Sequence, residues 1–231
     1  MITASEPNRH TAAGGGAKVR LDRDTILATG LELAADTGAT SISVRELGAR
    51  LGTDPTAIYR HFRNKEALMQ ALLDELNARS VAAVTAEPDQ WRERLRQLAA
   101  ATLASFTTYP AIAVEAVVLT THGPGELDAV ELMLDAFARA GLADDELVRH
   151  YALMASHVLS TAAGIARGRS GRTSGEEEPS PWFDGPILAD PRTHPRVAEL
   201  SVKIVGLEDR DLFMLGVEAV IQSAERAAAA H

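Results

Sequence analysis

Ser43-Val44-Arg45-Glu46-Leu47-Gly48-Ala49-Arg50-Leu51-Gly52-Thr53-Asp54-Pro55-Thr56-Ala57-Ile58-Tyr59-Arg60-His61-Phe62 is the stretch on which the fold turns. Ser43 to Glu46 has the form of a capping box: the serine hydroxyl can accept from an orphan amide of the first turn, and the glutamate can reach back to the amide of Ser43. A short helix from Val44 to Leu51 follows, and Gly52 closes it. Asp54-Pro55 then supplies an acidic N-cap and a proline at the first helical position, where its missing N–H costs nothing. A second short helix is expected from Pro55 to Phe62. Two short helices joined by a tight glycine turn let the second lie in a major groove while the first crosses the phosphate backbone. Such hairpins also serve enzymes as plain packing units, so the side chains have to decide.

Ile58 and Phe62 lie four apart and pack inward, which leaves Thr56, Tyr59, Arg60 and His61 on other faces. Arginine can fork onto guanine O6 and N7, a threonine methyl or Ala57 can meet a thymine methyl, and a tyrosine hydroxyl can reach a phosphate. Lys65 follows at the start of the next helix, where a cation and free amides together form a phosphate clamp. Arg45, in the first turn of the earlier helix, adds a second anchor. His61 is read equally as a base contact or as a packing or phosphate residue. Residues 41–65 carry five Lys/Arg against two acids.

That patch is hidden in the average, because the whole chain has a net charge of −9, which alone argues against a nucleic-acid partner. Residues 1–65 hold nine Lys/Arg and seven Asp/Glu, whereas residues 66–231 hold fourteen against twenty-five. A DNA-binding surface therefore belongs in the first third. With 231 residues, 46% of them hydrophobic and few aromatic, the chain can bury a sizeable core, and its wealth of Ala and Leu favours an all-α fold. There is no cysteine, so disulfides, thiolate metal sites and Cys nucleophiles are excluded. No run of about 18 apolar residues and no apolar leader is present, so the expectation is a soluble, cytoplasmic protein with no membrane partner.

Residues 1–20, with Gly14-Gly15-Gly16 and no hydrophobic periodicity, are expected to be a disordered arm. Residues 21–66 are expected to form a helix-turn-helix DNA-binding domain, beginning with a helix from Asp22 to Asp36 that Gly38 ends. Residues 67–231 are expected to form a helical bundle. Asn64 caps a long amphipathic helix marked by Leu68, Leu72 and Leu76 and reaching about Ala83. Further helices are placed at about 89–108, 110–120, 125–140, 143–168, 194–204 and 208–229, with a loop over 169–193. There is no internal repeat.

The string Val44 to Gly52, followed by Ala57-Ile58-Tyr59-Arg60-His61-Phe62-Arg63-Asn64-Lys65-Glu66-Ala67-Leu68, closely resembles the DNA-binding domain of the TetR family of transcriptional regulators. The resemblance covers about residues 22–70. It implies backbone contacts for Tyr59 and Lys65, base-proximal roles for Thr56, Ala57, Arg60 and His61, and a groove approach for Arg45. The remainder resembles, more loosely, the ligand-binding and dimerisation domain of the tetracycline-repressor subgroup, above all in Leu212-Phe213-Met214-Leu215-Gly216-Val217-Glu218-Ala219-Val220-Ile221. In that subgroup a histidine of the sixth helix coordinates the drug-bound metal, and the matching position here is Ala116. Leu98 and Thr102 fall at other positions that are polar in the subgroup's pocket. This speaks against a tetracycline–magnesium effector and implies a more apolar pocket. The small-residue faces Ala155, Ala162, Ala163, Gly164, Gly168 and Gly216, Ala219, Ser223 sit on the two helices with which the family builds its dimer, although packing within one chain would look the same.

His150 and His157 lie seven apart on one helical face and Glu146 precedes His150 by four, a spacing compatible with metal binding, but such Glu/His pairs are ordinary on solvated helices and no further ligand is apparent, so no metal and no cofactor is assigned. Phe106, Met133, Phe137 and Met154 either surround a hydrophobic ligand or simply fill the core. His157 lines the pocket or is a hydrogen-bonded core residue, with the core preferred. Trp182-Phe183 anchors the 169–193 loop, in the simplest account, or folds over a cavity or onto the partner subunit. Gly168 to Ser174 is no phosphate loop, since it lacks the lysine and the preceding strand. The expected function is that of a homodimeric repressor, not an enzyme, released from a palindromic double-stranded DNA operator by a small apolar or amphipathic effector. The alternatives are a small helical enzyme or a protein-interaction adaptor with a structural helix-turn-helix.

Overall fold

Asp22 caps α1 (Arg23–Ala34) by accepting a hydrogen bond from the amide of Thr25 at 2.9 Å. That satisfies one of the amides that a first turn leaves without a partner. The computed structural model describes residues 21–36, 41–169 and 187–230. The expected arm over 1–20, Gly38, Trp182 and Phe183 lie outside these residues. Among the described residues every regular element is a helix.

α2 (Val44–Arg50) starts on Ser43, whose hydroxyl accepts from the amide of Glu46 at 3.4 Å. The reciprocal half of the expected capping box is not made: the Glu46 carboxylate lies 3.9 Å from Arg50 instead. Leu51 ends the helix, and Gly52 takes φ +62°, a left-handed conformation that costs glycine nothing and reverses the chain. α3 (Pro55–Ile58) is shorter than expected. From Tyr59 to Phe62 the chain continues in tight turns, with the amides of Arg60 and His61 bonded to the carbonyls of Ala57 and Ile58. The reason is tertiary. Asn64 already caps α4, with its side chain 2.8 Å from the amide of Ala67. The few residues before it must bury both Ile58 (0% exposed) and Phe62 (2%). The Arg23 guanidinium covers the Phe62 ring at 4.5 Å.

α4 (Lys65–Ala82) buries Leu68, Leu72 and Leu76 and packs on α1 at one end and on α5 (Trp91–Thr108) and α7 (Pro124–Arg139) further along. The expected helix over 110–120 reduces to α6 (Pro110–Ala113), after which Val114 to Val118 run in turns. Three β-branched valines in that stretch, at 114, 117 and 118, weaken helix propagation. α8 (Asp144–Arg169) packs against α5 and α10 (Asp209–Ala229), while α9 (Pro195–Val205) buries no residue fully. Phe106, Phe137 and Phe213 are enclosed in this bundle. Arg96 of α5 grips Glu218 of α10 through two hydrogen bonds of 2.5 and 2.9 Å, and Arg94 reaches Asp135 of α7 at 2.5 Å. Among the described residues no helix is long and apolar enough to cross a membrane.

Candidate nucleic-acid interface and ligand cavity

The interface is assembled on α2, on α3 with its turn extension, and on the first residue of α4. Arg45, Tyr59, Arg60, His61 and Lys65 are all exposed, Tyr59 to 44%, and among the described residues none of their side chains has a hydrogen-bond or ion-pair partner. Arg63 is in the same state, and the sequence reading gave it no role although it belonged to the cationic run. Arg50 differs, because it is spent on Asp36 and Glu46. Four of the five cations of residues 41–65 are thus held out to solvent. Ala57 is half-buried. Thr56 donates its amide and its hydroxyl to Asp54 Oδ1, at 2.8 and 2.6 Å. Its hydroxyl proton is committed to the cap, and the methyl takes no part in that bond. The two bonds from Thr56 hold the Asp54 carboxyl below its ordinary range.

A cavity of about 90 Å³ lies between α4, α5, α7 and α8. Leu98, Thr102, Ala116 and Met133 line it, and so does Met154. Phe106 and Phe137, expected at the ligand, do not line it; both are enclosed core residues, and the Phe137 ring meets His150 at 5.9 Å between centroids. His157 also lies elsewhere, between α8 and α10. Its Nε2–H donates to the Phe213 carbonyl at 2.9 Å, and its ring stacks on Phe213 at 5.5 Å. His150 is likewise used in packing, donating from Nδ1 to the Glu146 carbonyl at 2.8 Å and lying 3.2 Å from Ser223 Oγ. The sequence reading missed Asn77, Thr121, Glu126 and Tyr151, which give the cavity its polar side. For Asn77 and Tyr151 the signal was a polar group within a long helix, whereas Thr121 and Glu126 lie on the link into α7 and in its first turn.

One wall of the cavity is latched to α4. Asp74 accepts hydrogen bonds from the amides of Gly125 (3.2 Å) and Glu126 (2.9 Å) and lies 2.8 Å from the Thr121 hydroxyl. Gln70, one turn earlier, donates to the Thr120 carbonyl at 3.0 Å. The α7 N-terminus comes this close only because residue 125 is glycine: a Cβ there would stand 2.2 Å from the carbonyl oxygen of Asp74. Leu119, Thr121 and Glu126, which face the cavity, therefore sit on a segment bonded to the helix that begins at Lys65.

Residues 26–72 match the model for bacterial regulatory proteins of the tetR family, and residues 85–223, well over half of the chain, match the tetracyclin repressor-like C-terminal domain. The chain belongs to the TetR family. Among the relatives of this TetR-family protein is the transcriptional repressor DrrR1 of Streptomyces coeruleorubidus, 27% identical over 217 residues that cover 91% of this chain and 79% of DrrR1. The class A tetracycline repressor of transposon 1721 in Escherichia coli is 28% identical over 211 residues, covering 86% and 96%. A putative transcriptional regulator from Streptomyces coelicolor A3(2) superimposes with a TM-score of 0.74 at 28% identity, covering 90% of this chain and 99% of its own. ActR of Streptomyces coelicolor, solved in complex with actinorhodin, shares the fold at a TM-score of 0.74 and 22% identity, covering 91% and 99%.

In this TetR-family chain α8 and α10 also present outward stripes. Leu153, Ser156, Ser160 and Gly164 follow one another along α8, and Leu215, Ala219 and Gln222 along α10, all exposed. Leu153 is 51% and Leu215 65% exposed, large apolar groups left facing water.

Proposed function

We propose that this protein is a homodimeric repressor that grips a roughly palindromic DNA operator and leaves it when a small apolar or amphipathic ligand enters the cavity. The observation that carries the DNA reading is the set of unpaired cations Arg45, Arg60, Arg63 and Lys65 on the helix-turn-helix of a chain whose net charge is −9. Long side chains held out without partners, on an otherwise acidic protein, fit a polyanion. In this reading residues 21–66 read DNA and residues 67–231 bind ligand and pair subunits. Tyr59 and Lys65 fix the register on phosphates, while Arg60 and the Thr56 methyl meet base edges.

Pairing through α8 and α10 presents two reading heads to successive major grooves, about 34–36 Å apart. A ligand that displaces the 119–126 wall pulls on α4 through Asp74 and Gln70, and α4 carries Lys65 and the preceding turn with it. The ligand acts only by binding the two arrangements unequally. The relatives' printed names support repression and a small-molecule effector: DrrR1 is a repressor, and ActR is in complex with actinorhodin. Selection of genomic fragments on the purified protein, followed by anisotropy titration at several salt concentrations, tests the reading. Replacing Tyr59, Arg60 and Lys65 together by Ala is expected to abolish binding while the helical circular dichroism is kept. Undiminished binding by that variant overturns the assignment.

A further inference from the structure

The cavity is not electrically neutral, and its imbalance restricts what it accepts. Among the described residues Glu126 is the one charged side chain in its lining, which contains no Lys, Arg or His. Among the described residues neither Glu126 nor its neighbour Asp74 has an ion-pair partner. Thr121 Oγ lies 2.9 Å from Glu126 Oε2 and 2.8 Å from Asp74 Oδ1. A hydroxyl has one proton, so it serves only one of the two carboxylates. Asp74 still has the amides of Gly125 and Glu126, at the positive end of α7. Glu126 has only the His122 amide, at 2.6 Å to the same Oε2, and its Oε1 has no hydrogen-bond partner among the described residues.

Part of the remaining polar lining points the same way. Thr102 gives its hydroxyl proton to the Leu98 carbonyl and Ser80 gives its own to Leu76, so both turn acceptor lone pairs to any ligand. The side chains of Asn77 and Tyr151 have no hydrogen-bond partner among the described residues and can donate or accept, so they orient a polar group of either kind and leave the choice of charge to Glu126. Leu98, Ala116 and Met133 supply an apolar bed. A lining whose charge among the described residues is a single carboxylate without an ion-pair partner repels anions and favours positive charge.

We propose that the cavity takes a compact amphipathic cation, its apolar body among Leu98, Ala116 and Met133 and its ammonium on the Glu126 carboxylate, and rejects carboxylates of the same shape. This rests on reading the cavity as the effector site. The test uses the full chain without DNA and three one-ring probes titrated by calorimetry: benzylamine, benzyl alcohol and benzoate. The amine is expected to bind at least about tenfold more tightly than the carboxylate, with the alcohol between them. Glu126→Gln, which keeps an oxygen for the His122 amide, is expected to lower amine affinity to about that of the alcohol and leave the alcohol unchanged. Met133→Trp, which fills the cavity, abolishes binding of all three. Equal or tighter binding of the carboxylate by the unmodified protein, or an amine indifferent to Glu126→Gln, overturns the charge assignment while alcohol binding keeps the cavity reading alive. Binding by none of the three overturns both.

Discussion

Lys65 and Arg60 are both exposed and unpaired, yet they are expected to fail differently when removed. Lys65 stands at the N-terminus of α4, where a cation meets free amides and the partner is a phosphate. Lys65→Ala should weaken binding about equally for every sequence and lower the slope of log affinity against log salt by about one, read from anisotropy titrations. Arg60→Ala should instead cost about 1–3 kcal/mol on the best operator and relax preference at one base pair, read by competition among single-base variants. If the two variants lose affinity in the same sequence-independent way, Arg60 is a phosphate contact. Gly125 makes a prediction of another kind. Because a Cβ there would stand 2.2 Å from backbone, Gly125→Ala must push α7 off α4 and should destabilise the fold by about 1–3 kcal/mol, measured by urea unfolding.

Between elements, bonds at α5 and α7 set the response to acid and to ligand. The hydrogen bonds from Arg96 hold the Glu218 carboxyl below its ordinary range, and Arg139 first, with Arg94, does the same for Asp135. A carboxylate depressed in the folded state adds stability above its unfolded value and loses it as pH falls through the folded one. The Tm is therefore expected to fall on acidification below the ordinary carboxylate range, and Glu218→Gln should flatten that fall while lowering the Tm at neutral pH. A scan in which the variant keeps the full acid slope would assign the slope to other groups. The same local logic made the starts of the first four helices legible in the sequence: Asp22, Ser43, Asp54 and Asn64 each accept from an amide of the turn they begin. It did not set the far ends of α3 and α6, where the burial of Phe62 and the valines at 114, 117 and 118 cut the helices short. In the cavity, periodicity identified an inward stripe but not whether the interior was solid or hollow. Phe106 and Phe137 satisfy the same pattern as Met133, yet only Met133 faces the space. The Asp74 latch was invisible for a related reason, since it joins residues about fifty positions apart.

Across the whole molecule, charge and apolar surface are divided between opposite tasks. The cations that suit DNA lie on the helix-turn-helix, whereas the exposed Leu153 of α8 and Leu215 of α10 belong to the acidic remainder. Two large apolar groups in water are tolerable singly, but on neighbouring helices with Ser156, Gly164 and Ala219 beside them they form a surface that a second copy can cover closely. A self-complementary pairing of that kind places residue against residue about a two-fold axis, so one carboxylate introduced on each helix is met by its own copy and by a desolvated apolar neighbour. Leu153→Glu combined with Leu215→Glu should therefore give a monomer by sedimentation while the circular dichroism stays helical, because neither side chain contributes to the enclosed core. Operator affinity should fall at the same time, since one reading head retains only half of the contacts and the avidity of a linked pair is lost. The two readouts separate the possibilities. A dimer that survives the double change places the subunit contact elsewhere, and a monomer that still binds the full operator undiminished removes the need for a pair of reading heads.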